Sequence, residues 1–321
     1  MVRLVERFAA SGHFIPYMNT REIRDAVLRT LCFHAAWRHL PTRVELLSTL
    51  DMRGAAAAEA EDVLIVLDNL KAESVVTERD GRIGLAEFFD ALSESALSYE
   101  RFQPRKRRRA MKVAAWLSRW KAVRFVALAN TSALGDARDD GDLDFFVVVH
   151  HGSLWSTRLF LGGVFKLLGM LPSDRRTRDT VCLSYFITDK SLDLSHHMLE
   201  GDDPYFRYWF MSLFPLFDDG IGEKIWAANK EVLARHPAAG GWIAPPDFAV
   251  SPAFRLPLPM WAEGLARGFQ MRWFPPKIKE SMNKDVRVMV GDDVLKLHVT
   301  DRREKYREDH RILCRKYGIA P

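Results

Sequence analysis

Phe125-Val126-Ala127-Leu128-Ala129-Asn130-Thr131-Ser132-Ala133-Leu134-Gly135-Asp136-Ala137-Arg138-Asp139-Asp140-Gly141-Asp142-Leu143-Asp144-Phe145-Phe146-Val147-Val148-Val149 is the stretch on which the fold turns. It reads as an apolar strand, a polar turn, a glycine, an acidic stretch and a second strand that opens on Asp-x-Asp. Successive strand side chains alternate faces, so Asp142 and Asp144 point the same way. Two carboxylates that close raise each other's pKa. A hard cation, Mg²⁺ or Mn²⁺, prefers oxygen ligands and removes that conflict. The pair is therefore expected to be half of a metal cradle for a phosphate group.

Working outward, the downstream chain continues as helix and strand. Ser153 to Gly169 reads as a helix with Gly169 placed to cap its end, and Val181 to Ile187 as a further strand. Residues 196 to 235 read as mainly helical. Their aromatic residues, Tyr205, Phe206, Tyr208, Trp209, Phe210, Phe214 and Phe217, read as core rather than as a base-stacking platform. Ala238 to Pro259 is rich in proline and glycine and reads as an extended linker. A helix near Trp261 to Trp273, a short hairpin over Val286 to Leu297 and a charged helix from Asp301 to Tyr317 complete the tail.

Upstream, residues 20 to 86 read as three helices and a hairpin. Thr20 opens the first helix and Thr42 the second, with Glu45 as capping-box partner. The third is Glu61 to Leu70, and Asp80-Gly81 turns the hairpin. That order is winged-helix-like. Many such domains read DNA with the third helix, but EDVLIVLDNL is acidic and apolar, which points to packing or protein contact. Residues 87 to 120 read as a long helix broken near Gln103-Pro104. It carries the densest basic run, Arg105-Lys106-Arg107-Arg108-Arg109, which is either a nucleic-acid or triphosphate contact or a solvated helix face. The expected organisation is a winged-helix-like region over 1–90, a helical connector over 91–120, a catalytic-type domain over 121–235 and a C-terminal linker and helical extension over 236–321.

The 321 residues, 48% hydrophobic and 28% charged, fit a soluble globular protein. The net charge of +5 permits a polyanionic partner without requiring one. Cys32, Cys182 and Cys314 are scattered, which fits neither a disulfide framework nor a zinc motif and suggests a cytoplasmic protein. The most apolar later stretch, Leu154 to Leu171, contains Arg158 and Lys166 and is short for a membrane span.

The acidic segment resembles the signature of the nucleotidyltransferases related to DNA polymerase beta. It carries Gly135, Ala137 and then Gly141-Asp142-Leu143-Asp144-Phe145 leading into an apolar strand. The overall layout resembles a bacterial group of such proteins with an N-terminal winged-helix-like region. The resemblance implies an α+β fold with a polymerase-beta-like palm, a small mixed sheet with helices, and a helical C-terminal region. It implies transfer of a nucleoside monophosphate from a nucleoside triphosphate to an acceptor that the sequence does not specify: RNA, protein or a small molecule. Asp142 and Asp144 would hold Mg²⁺ or Mn²⁺. Asn130, Thr131, Ser132 and Gly135 would hold phosphates, and Arg158 and Lys166 would neutralise pyrophosphate. Two departures stand out. The family's Gly-Ser pair falls on Asn130-Thr131, and the strand expected to carry a third carboxylate has none, leaving Asp179 and Asp189 as the nearest acids.

A glycosyltransferase would also use Asp-x-Asp, but it needs a nucleotide-binding strand-helix unit upstream, where this chain reads as helical. A calcium loop fails because the alternation and final glutamate are missing. The remaining alternative is a catalytically degenerate domain that binds nucleotide or nucleic acid as a regulatory module. His150-His151, His196-His197 and His298 lie at strand ends and have no assigned role.

Overall fold

Residues 20–134, 136, 138–173, 176–242, 246–257 and 262–321 are described in the computed structural model. Helix α1 (Thr20–Trp37) is followed by α2 (Arg43–Ser48) and α3 (Ala60–Ala72). The capping box of α2 is complete: Glu45 N donates to Thr42 Oγ1 at 3.2 Å and Thr42 N to Glu45 Oε2 at 2.7 Å. Strands β1 (Val76–Arg79) and β2 (Arg82–Leu85) pair antiparallel. Asp80 and Gly81 join them with φ of 52° and 73°, the left-handed pair that a two-residue hairpin turn requires. Ile23, Val27, Leu31, Leu46, Val63, Leu67 and Ile83 close a core between these elements.

Helices α4 (Ala86–Glu100) and α5 (Gln103–Leu117) are broken where the sequence places Pro104. The central segment then runs β3 (Val123–Leu128), α6 (Asn130–Leu134), β4 (Leu143–Val149), α7 (Leu154–Leu167) and β5 (Val181–Thr188). Next come α8 (Pro204–Ser212), β6 (Phe214–Asp218), α9 (Gly222–Ala228) and α10 (Lys230–Leu233). The tail holds α11 (Glu263–Trp273), α12 (Pro276–Ser281), β7 (Val288–Val290), β8 (Val294–Leu297) and α13 (Arg303–Lys316).

Among the described residues, six strands form one mixed sheet in the order β6-β3-β4-β5-β8-β7. Only the β4–β5 pair is parallel, as expected where a helix carries the chain back across the sheet. Strand β4 is buried on both faces, which explains its nearly unbroken apolar run. Phe145, Val147 and Val149 face a core shared with α5, α7 and α11, whereas Phe146 and Val148 face the aromatic residues of α8. The fold is α+β with helices on both sides of a mixed sheet. Phe206, Tyr208, Trp209 and Phe210 are buried, so the aromatic cluster is core.

Described residues after 236 join both the sheet and the N-terminal core. Strands β7 and β8 complete the sheet, and Cys314 and Ile319 enter the N-terminal core. No helix of the described residues is long and apolar enough to cross a membrane.

Arg303 ties this tail down. It is 4% exposed, and its Nη1 donates to Asp203 Oδ2 at 2.8 Å and to the His197 carbonyl at 2.8 Å. Asp203, fully buried, also caps α8 by accepting from Phe206 N at 2.9 Å. Removing the guanidinium leaves a buried carboxylate without its counter-charge. We expect Arg303→Met to cost roughly 3–5 kcal/mol in urea unfolding. A loss no larger than that of an ordinary surface substitution would contradict this account.

Candidate metal centre

The β3–β4 and β4–β5 pairings bring the polar turn after β3, the entry to β4 and the entry to β5 to one end of the sheet. Asp142 precedes β4 and Asp144 is its second residue. Across the parallel ladder Asp144 stands opposite Cys182. Ligand atoms of Asp142, Asp144 and Cys182 all lie within 4.8 Å of one another, and all three residues are half-buried. Burial, and then the neighbouring Asp144, raise the Asp142 carboxyl to about 6. Burial and the same two carboxylates push the Cys182 thiol well above its usual range, so it is held as a neutral thiol.

Asn130 has φ of 55°, a left-handed backbone at the position where the resemblance expects glycine. Its side chain works as well: Nδ2 donates to Asp144 Oδ2 at 2.8 Å, and Oδ1 accepts from Tyr205 at 2.9 Å. Thr131 is exposed beside it. Ser132 is buried and its hydroxyl donates to the Asp142 carbonyl at 3.2 Å, so it braces the acidic loop and is not open to a phosphate. Gly135 and Ala137 lie outside the described residues.

Several expected site residues are engaged with other partners or stand outside the three-residue cluster. Arg158 is turned into the protein: it donates to Gln270 at 2.7 Å, lies over the Phe274 ring, and burial lowers it to about 10. Lys166 is exposed in the last turn of α7. Asp179 is held by Arg105 at 2.7 Å and Lys106 at 3.2 Å, outside the three-residue cluster. Asp189 follows the opposite end of β5, paired with Arg124 at 3.2 Å and accepting from His151 N at 2.8 Å. Neither belongs to the three-residue cluster, whose third corner is Cys182.

The basic run is in part tied down by internal partners. Arg105 also pairs with Asp139 at 2.6 Å, Lys106 is buried, and Arg107 lies over the rings of Phe214 and Phe248. Arg108 remains exposed. Arg105 and Lys106 hold the acidic loops in place.

Cys182, Ser184 and His298 are the site residues that the sequence reading did not assign. Ser184 Oγ and His298 Nε2 share a hydrogen bond of 2.7 Å, and Cys182 donates to Ser184 at 3.3 Å. Burial and then Lys296 lower His298 to about 4, so it stands as a neutral imidazole near Asp144. The signal was present: Cys182 and Ser184 are the polar positions of an alternating strand. Comparison of the chain with family models, curated proteins and solved structures finds no match.

The turn after β3 is also gripped from the N-terminal helices. His39 Nδ1 is 2.5 Å from Asp136 Oδ2, and His39 Nε2 is 3.7 Å from Glu45. Burial alone would depress this imidazole, but Asp136 and Glu45 outweigh it and raise it to about 9. A histidine raised above its ordinary 6.5 contributes stability that is complete below that value and fades as pH rises through about 9. We expect the wild-type advantage in thermal midpoint over His39→Gln to be largest near pH 6 and to shrink by pH ~9.5. An advantage that is constant or grows with pH would refute the ion pair.

Proposed function

We propose that the chain is a metal-dependent nucleotidyltransferase with a polymerase-beta-like palm and a winged-helix-like N-terminal region. It would transfer a nucleoside monophosphate from a nucleoside triphosphate to an acceptor. The observation that carries this reading is the direct bond between the left-handed Asn130 turn and Asp144, at 2.8 Å. A turn that lets backbone approach a phosphate and a carboxylate pair that binds a cation are useful together only if one ligand carries both phosphate and metal.

The residues fit a divalent ion in part. Asp142 and Asp144 supply hard oxygen ligands, and the raised Asp142 carboxyl marks an uncompensated conflict that a cation relieves. Cys182 would be a soft third corner only as a thiolate, its proton displaced by the ion, which suits Mn²⁺ or another softer ion better than Mg²⁺. The bound ion would supply charge neutralisation at the transferring phosphoryl group. Asn130 orients Asp144, Thr131 offers an exposed hydroxyl, and the neutral His298 can accept a proton near Asp144. A second reading has its own support: where the resemblance expects a carboxylate stands a protonated thiol, as in a domain that binds nucleotide without transferring it.

The test incubates the protein with each α-labelled nucleoside triphosphate and Mg²⁺ or Mn²⁺. We expect label transfer that falls at least ~10²-fold in Asp142→Asn/Asp144→Asn. We also expect Cys182→Asp to improve activity with Mg²⁺ relative to Mn²⁺. Transfer that survives the double substitution would sink the site. Nucleotide binding with no transfer by wild type under either metal would establish the second reading.

A further inference from the structure

A cavity of about 190 Å³ opens beside the carboxylates, with Asn130 and His298 in the wall that it shares with them. Its far side is built from the end of β8 and the start of α13, including Lys296, Thr300, Arg302 and Tyr306. Lys296 is 4% exposed. Its ammonium donates to the Val286 carbonyl at 2.7 Å and lies 5.8 Å over the rings of Tyr185 and Phe206. Among the described residues no carboxylate stands within ion-pair distance of it, although buried lysines are rarely left unpaired. Burial, and then Arg303, lower it to about 7. Arg303 pairs with Asp203 and with Asp301, which also lines the cavity, so Lys296 feels those carboxylates at a distance but has no ion-pair partner of its own among the described residues. The 14-residue helix α13 directs its positive end to the same place, with exposed Arg302 at its N-cap.

We propose that this cavity binds a small molecule bearing a phosphate or carboxylate, held by Lys296, and that this molecule is the acceptor. At about 190 Å³ the cavity has room for a small organic anion. The ring stack of Tyr205 on Tyr306, with centroids 5.2 Å apart, gives the cavity an apolar wall for a short carbon skeleton. Tyr205 bonds Asn130, and Asn130 bonds Asp144, so the cavity wall is joined to the carboxylate site through two hydrogen bonds; an acceptor hydroxyl there would attack the α-phosphorus and displace pyrophosphate. The acceptor role rests on the nucleotidyl-transfer reading; the anion site does not.

The test is calorimetric titration of the full chain with inorganic phosphate, glycerol 3-phosphate and glycerate, the last two separating phosphate from carboxylate recognition. We expect saturable binding that weakens at least ~10-fold in Lys296→Met. Thr300→Trp, which plugs the cavity from an exposed position, should weaken it likewise without touching the core. Binding should persist in Asp142→Asn/Asp144→Asn. No saturable binding by wild type, undiminished binding in both cavity variants, or loss confined to the Asp142/Asp144 variant would overturn the proposal. Absence of label transfer alongside intact, Lys296-dependent phosphate binding counts against the transfer reading alone.

Discussion

A buried ammonium must be compensated, and in this fold the compensation of Lys106 sets the position of the carboxylates. Lys106 is 3% exposed on α5. It donates to the Gly141 carbonyl at 2.6 Å and pairs with Asp179 at 3.2 Å. Asp179 N donates to the same carbonyl at 3.1 Å, so the loops entering β4 and β5 are joined at one point. Asp142 is the next residue after Gly141, and its place follows from that junction. A Cβ on Gly141 would lie 3.3 Å from the Arg138 carbonyl and 3.9 Å from Lys106 Nζ, which is why the loop can close this tightly there. Breaking such a pair by removing one partner is far costlier than never having formed it.

The junction holds two acids close without relieving them. Lys106 moderates Asp142 but does not offset burial and Asp144. Asn130 supplies Asp144 with a donor. A neutral thiol completes the cluster, where a cationic side chain would have removed the conflict outright. An arrangement that stores repulsion at a strand mouth, braced by a left-handed asparagine and a buried lysine, sacrifices stability for a local field. Local rules are broken in this way at functional sites, where a ligand restores the balance.

What could be read in the sequence was what the chain determines over short distances. The capping box at Thr42 and Glu45, the Asp80-Gly81 turn and the shared face of Asp142 and Asp144 each depend on residues a few positions apart. The internal partners of the arginine-lysine run are not legible in the sequence because they are remote. Arg105 and Lys106 meet Asp139 and Asp179, which are 34 and 73 to 74 positions away. Arg158 looked exposed because amphipathic spacing does not say which later helix will cover it, and Gln270 does so from 112 positions away. A single cysteine on a mostly apolar strand gives no local sign that the parallel ladder will set Cys182 opposite Asp144. The C-terminal strands read as a hairpin, but nothing local says that a hairpin will add to a sheet begun more than 150 residues earlier.

The polar turn is held from two sides, and this joins the N-terminal helices to the chemistry. On one side Asp136 meets His39, from the loop after α1, at 2.5 Å. On the other, Asn130 meets Tyr205 of α8 at 2.9 Å. The two supports are themselves packed together, since Phe33 of α1 stacks on Tyr208 of α8 with centroids 4.1 Å apart. Asp51 and Arg235, 2.9 Å apart, pin the loop before α3 to the segment after α10. The N-terminal region therefore acts as a wall of the turn, and a partner that displaced α1 would reach Asp144 through two hydrogen bonds. Cores and interfaces of this density switch between discrete packings and do not deform continuously, so such a displacement would either leave the carboxylates in place or release Asn130 from them altogether.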